Sequence, residues 1–228
     1  MRMPCTFTAT TPVEYVPYDF EGYIDSFKNY FGQYTFFDEW KQFWLEIFHK
    51  EDEKVKSYVK ASPNSNPIMQ STEEDYEMFH IEHETDYGTF TFHFNVEAMH
   101  TIKETMQVPV GVINRVHIYI DPDTPYIEEK LKDQRLPYFV RMAGIEKSFI
   151  CADGNKRVKA RIEKGETDLK GYIFWPQHVQ RIFFIPLELC FYMFLQELNH
   201  MRTNQIENPS EANVLRTTQM HLLANARR

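Results

Sequence analysis

Apolar and polar positions change period several times along the chain. Phe37, Trp40, Phe43, Trp44, Ile47 and Phe48 recur at three- and four-residue intervals, which predicts a helix with a wide aromatic stripe. Residues 18–60 are read as this helix and an earlier one, broken around Gly32-Gln33-Tyr34-Thr35, and the polar, proline-bearing stretch 61–72 as a loop. The period then falls to two. Phe79, Ile81 and His83 alternate with His80, Glu82 and Glu84, and after Asp86-Tyr87-Gly88 the residues Phe90, Phe92 and Phe94 alternate with Thr91 and His93, the pattern of a β-hairpin. Val112, Val116, Ile118 and Ile120 predict a strand, and Thr124 with Pro125 predicts the cap and first position of a short helix. Extended segments follow at Pro137–Met142, at Ser148–Ala152 and at Gly171–Trp175. Pro186 opens a strongly apolar helix, and Asn208 or Ser210 caps a terminal one. The expected fold is α+β: a small mixed sheet with helical additions at both ends and a hairpin. Its expected division is residues 1–105 (aromatic helices and hairpin), 106–178 (sheet domain) and 179–228 (C-terminal helices).

Composition narrows the class. A 228-residue chain that is 43% hydrophobic and 15% aromatic can bury a substantial core, and so much aromatic surface is too costly to leave in water. The net charge of −8 weighs against broad nucleic-acid binding, while leaving room for a local phosphate site. Cys5, Cys151 and Cys190 are odd in number and widely spaced, as in a reducing compartment, and the first residues lack the apolar core of a secretory signal; a cytoplasmic location is expected. The apolar run Ile182–Leu198 contains Pro186 and Glu188 and is read as a core helix rather than a membrane span. His80, Glu82, Glu84 and His93 share one hairpin face and are metal-ligand types, but without a supporting spacing they are read as a solvated face, with no metal ligands assigned.

The candidate chemistry lies in Ser148–Gly165, where an apolar strand, Asp153-Gly154 and a helix bearing Lys156, Arg157, Lys159, Arg161 and Lys164 follow one another. Gly154 can take a positive φ and carries no side chain to block an anion, while the amides of Asn155, Lys156 and Arg157 are unpaired at a helix start. Arg157 can engage two phosphate oxygens with its planar fork, and Lys156 adds a mobile charge. Asp153 is repulsive toward phosphate unless it caps the helix, serves as a base or shares a cation. Lys159, Arg161 and Lys164 have a plainer reading as a solvated helix face.

Asp153, Gly154, Arg157 and Ala160 match the D-G-x-x-R-x-x-A turn of the ParB/sulfiredoxin superfamily, which residues 111–178 also resemble in strand order. The resemblance implies a nucleotide-binding domain. Asn155 stands where sulfiredoxins carry a catalytic cysteine, which weighs against sulfinic-acid reduction, and the helix after Pro186 is too apolar for the DNA reader of partitioning proteins. The turn is most similar to the D-G-H-H-R of free-serine kinases, with Lys156 in place of the second histidine. That likeness implies bound ATP, ADP or CTP, Mg²⁺, phosphoryl transfer or nucleotide hydrolysis, and catalytic carboxylates at Asp153 and Glu128. Glu128 and Glu129 also read simply as first-turn acids favoured by a helix dipole. Two other functions remain open: a noncatalytic nucleotide-gated module whose aromatic or C-terminal helices bind a protein, and a nuclease or nucleic-acid binder.

Overall fold

A computed structural model describes residues 15–62 and 78–226; Cys5 and most of the loop expected over 61–72 lie outside them. The described chain is a mixture of helices and strands with a small mixed sheet and a two-stranded hairpin. Two compact units share it: of the described residues, 15–62, 82–91 and 185–226 form a helical unit, and 78–81 and 92–184 a sheet unit. The helical unit thus draws on segments from before and after the sheet unit, where the sequence suggests three consecutive parts.

The helical unit begins with α1 (Phe20–Asp25), α2 (Lys28–Phe31) and α3 (Phe37–Ala61). The break between α2 and α3 falls where the sequence predicts it. The aromatic stripe of α3 is core, with Trp40 and Phe48 wholly buried. Phe20 stacks on Phe48 with ring centroids 4.6 Å apart. The hairpin consists of β1 (Met78–Thr85) and β2 (Gly88–Asn95), turning through Asp86-Tyr87; its turn-proximal part, residues 82–91, belongs to the helical unit and the rest to the sheet unit.

In the sheet unit, Asn95 caps α4 (Val96–Thr105) by accepting from the Ala98 amide at 2.8 Å. The strand expected through Val112–Ile120 is divided. β3 (Val110–Asn114) ends where the Asn114 side chain accepts from the Val116 amide, a 3₁₀ turn spans Arg115–His117, and β4 is only Ile118–Tyr119. The helix expected from Pro125 is also shorter. A 3₁₀ turn covers Glu128–Lys132, because Ile127 before it is extended, with φ −135° and ψ 108°. Next come β5 (Tyr138–Arg141), β6 (Phe149–Asp153), α5 (Asn155–Glu163) and β7 (Asp168–Phe174).

The sheet order is β3-β7-β5-β6-β4, with β5 parallel to β7, β4 parallel to β6 and the other pairs antiparallel. β3 and β4 lie at opposite ends of this order yet are joined by only Arg115–His117. Four inter-strand spacings span about 19 Å in a flat sheet, whereas the four residue steps from Asn114 to Ile118 reach at most about 14 Å. The sheet therefore curls. Ile113 and Ile118, one from each terminal strand, share a core with Phe139, Cys151, Val158, Leu169 and Ile173.

In the helical unit the chain ends with α6 (Pro186–Glu207), α7 (Glu211–Arg216) and α8 (Gln219–Ala226). Pro186 occupies the first turn of α6, and Ser210 caps α7 by accepting from the Asn213 amide. α6 packs on α3 through Trp40, Trp44 and Phe48, while Phe43 and Ile47 of the stripe are half-buried. Among the described residues no helix is long and apolar enough to cross a membrane.

Candidate phosphate-binding turn

β6 delivers Asp153 to the end of the sheet, Gly154 reverses the chain at φ 92°, and α5 begins at Asn155. A positive φ is steeply unfavourable for residues with a Cβ, which explains a glycine here. No side chain caps α5. Its first amide with a backbone partner is that of Val158, which donates to the Gly154 carbonyl at 2.9 Å. The amides of Asn155, Lys156 and Arg157 have no partner among the described residues, the condition under which a helix N-terminus attracts an anion.

The side chains divide the work differently from their sequence order. Asn155 is a brace: its Nδ2 donates to the Cys151 carbonyl at 2.7 Å, and its Oδ1 accepts from the Asp121 amide at 3.2 Å. Lys156 is exposed and has no ion-pair partner among the described residues. Arg157 is 6% exposed. Its Nη2 donates to Asp153 Oδ2 at 2.8 Å, and its Nη1 lies 3.6 Å from Asp133 Oδ2. The Nε of Arg157 is buried without a hydrogen-bond partner. A Cβ on Gly154 would stand 2.7 Å from Arg157 Nη2 and 3.0 Å from its Nε, so the space that glycine leaves open is filled by the guanidinium.

Asp153 is thus neither a helix cap nor a lone charge, because Arg157 neutralises it. Asp133, which sequence reasoning missed, completes the arrangement. Hydrogen bonds from Arg135, and then the charge of Arg157, hold its carboxyl well below the ordinary range. Nothing local in the sequence marks Asp133, since its role depends on α5 returning to it. Burial pushes the Cys151 thiol up, and its Sγ donates to the Asp153 carbonyl at 3.3 Å; it is an internal brace.

Glu128 is not brought to the turn. It sits 3.2 Å from Lys164, beyond the opposite end of α5, a helix about 13 Å long at 1.5 Å per residue. Lys159 pairs with Glu163 at 3.2 Å, and Arg161 donates to the Asp133 carbonyl at 3.2 Å. The basic run is therefore a set of individually paired side chains with Lys156 left unpaired, not a continuous patch. Asp153 and Asp133 are held by arginine, and Glu128 is remote from the turn. Among the described residues no three His, Cys, Asp or Glu side chains are grouped for a metal ion. His80 and His93 are neighbours, with ring centroids 6.1 Å apart, whereas His83 meets the Tyr23 hydroxyl at 3.2 Å. His93 is buried, so the hairpin face expected to be solvated is partly covered.

A polar cluster absent from the sequence reading lies at the same end of the sheet. Tyr138, the cross-strand partner of Asp153, brings its hydroxyl to His100 Nδ1 at 2.6 Å. Lys103 lies over the Tyr172 ring, 5.5 Å from its centroid. Burial raises the Tyr138 phenol above its ordinary value; nearby Lys103 opposes that shift and Asp153 adds to it.

No protein-family model matches the chain, and no characterised protein or solved structure is significantly similar to it.

Proposed function

We propose that the protein binds the phosphates of a nucleotide such as ATP, ADP or CTP at the Gly154 turn, in the manner of the ParB/sulfiredoxin-like domains that residues 111–178 resemble. The observation that carries this reading is the uncapped start of α5, where three amides lack partners beside the buried, unpaired Nε of Arg157. An anion there would accept from the amides of Asn155, Lys156 and Arg157, and exposed Lys156 would close over it. Arg157 would act from within, cancelling Asp153 and supplying its Nε–H. Phosphoryl transfer or hydrolysis would draw on the same amides and cations to stabilise charge.

A second reading, binding without turnover, is favoured by one observation: Asp153 is committed to Arg157, and Glu128 to Lys164 at the other end of α5. Calorimetric titration with ATP, ADP and CTP, followed by a turnover assay with Mg²⁺, tests both. Lys156→Ala is expected to weaken binding about 10-fold, the value of one charge-assisted hydrogen bond, while Lys159→Ala and Lys164→Ala change it less than about threefold. Equal losses at all three positions would instead support a diffuse basic surface for nucleic acid. Binding with no turnover would leave the gated module.

A further inference from the structure

We propose that β3 is a docking edge for a second copy of this chain, the two β3 strands pairing antiparallel about a two-fold axis at Val112 and so joining the sheets of two molecules.

The edge is open by position and by hydrogen bonding. β3 stands at one end of the sheet order, with β7 as its neighbour. The Ile173 amide donates to the Pro109 carbonyl at 2.9 Å and the Arg115 amide to the Thr167 carbonyl at 2.8 Å. The odd-numbered residues of this segment therefore turn their backbone groups toward β7, and Val110, Val112 and Asn114 turn theirs outward. Among the described residues, the outward amides and carbonyls have no backbone partner. Pro109 faces β7, so its missing N–H takes nothing from the outward row. Sheet edges are ordinarily blunted by lysine, inward charge, a bulge or a cover. Here Val110 is 43% exposed and Val112 64%, no charged residue lies between Val108 and Asn114, and the pairing with β7 runs without a register shift.

A second copy suits this edge because the outward row is symmetric. A strand centred on Val112 places Val110 opposite Asn114 of the second copy and Val112 opposite itself, each pair exchanging both N–H···O bonds. Every outward group of the strand is then satisfied, and the two Val112 side chains meet as a β-branched cross-strand pair. Charge does not oppose the contact. Lys170, which pairs with Val112 on β7, would lie three strand spacings from its mate, about 14 Å, beyond the screening length of about 8 Å at physiological salt. The same patch is used on both molecules, so association closes at a dimer.

Sedimentation velocity on the full chain tests the pairing. A strand this short makes a small interface, and a dissociation constant on the order of 10⁻⁵ M is expected, so the mass should rise from one chain to two between about 1 and 300 µM. Val112→Pro removes the outward amide at the axis from both copies and should raise the dissociation constant at least about 10-fold. Val112→Lys sets two ammonium groups face to face, should weaken the dimer in the same direction, and serves if the proline variant folds poorly by circular dichroism. Val116→Lys, 61% exposed but in the 3₁₀ turn beyond β3, should change it less than about threefold. Register is read by disulfide trapping with diamide, measured against the parent with its own cysteines. Val112→Cys should link to its mate, the Cα atoms being about 5.5 Å apart. Val110→Cys should not, because its mate lies four residues along the paired strands, about 14 Å away. A single-chain mass over the whole concentration range, a dimer unchanged by both Val112 substitutions, or equal trapping at positions 110 and 112 would overturn the β3 pairing.

Discussion

Arg157 shows how one residue type can serve two purposes that the sequence does not separate. An arginine at the third position of α5 has the reach of a phosphate ligand, yet its guanidinium lies under the turn, 6% exposed and bonded to Asp153. Breaking a buried pair by removing one partner costs about 3–5 kcal/mol, because the remaining charge stays desolvated. Arg157→Ala should therefore lower stability by that order in denaturant melts and weaken anion binding as well. Lys156→Ala should stay within about 0.5 kcal/mol of the parent in stability, as an exposed substitution does. It is the cleaner probe of binding. Gly154→Ala combines a left-handed backbone, costing about 1–2 kcal/mol, with a Cβ only 2.7 Å from Arg157 Nη2. It should unfold at lower denaturant than the parent and loosen the Asp153–Arg157 pair, visible as a moved Arg157 Nε–H resonance by NMR; an unmoved resonance would mean that the guanidinium does not depend on the space above Gly154.

Among the elements, those set by local signals were legible. The β6–turn–α5 unit announces itself by an apolar run, a glycine and a helix former, and α6 by Pro186 and its apolar length. The hairpin follows from period two. What escaped depends on partners distant in sequence. β3 stops because Asn114 bonds to the Val116 amide, and the division of β3 from β4 follows from two pairings at opposite ends of the sheet order. In the helical unit, Glu197 of α6 is buried and accepts from the indole N–H groups of Trp40 and Trp44 and from the Gln219 amide that starts α8. Trp40 is 157 residues away in sequence, so no periodicity could reveal the contact.

Burial raises the Glu197 carboxyl above its ordinary value, although the three hydrogen bonds pull the other way. A carboxyl raised in the folded state binds its proton more tightly there than in the unfolded chain. Its contribution to stability is fully present below the unfolded pKa of about 4.3 and is lost as pH rises through the folded value. Glu197→Gln keeps the shape and removes the titration. The stability difference, parent minus variant, should rise as pH falls from 7.5 to 5, measured in paired urea melts followed by tryptophan fluorescence; a pH-independent difference would contradict the burial effect. Glu197→Leu should cost more, about 1–3 kcal/mol for each buried indole donor left unpaired.

At the scale of the molecule, the two compact units confine the expected response to a ligand. The Gly154 turn, Asp133, Asp153 and the α4 cluster all belong to the sheet unit, whereas the Glu197 bundle belongs to the helical unit. A nucleotide at about 100 times its dissociation constant stabilises the state that binds it by about 2.7 kcal/mol. Hydrogen exchange should therefore slow most at the amides of Asn155, Lys156 and Arg157, then in β6 and α5, with α3 and α6 changing least under conditions of local opening. The net charge of −8 adds a second contrast. A protein that follows a nucleic-acid backbone loses affinity steeply with salt, by about 10³–10⁵ between 50 and 200 mM when 6–10 phosphates are contacted. A nucleotide held by three amides and a few cations should lose far less over the same range, because few counterions are released and an acidic surface adds no long-range attraction. Titration of ATP at both salt concentrations alongside a single-stranded oligonucleotide separates the two. A steep salt dependence with the oligonucleotide, together with protection spread over the whole of α5 rather than its first turn, would assign the basic helix to nucleic acid and leave the turn as a support for Arg157.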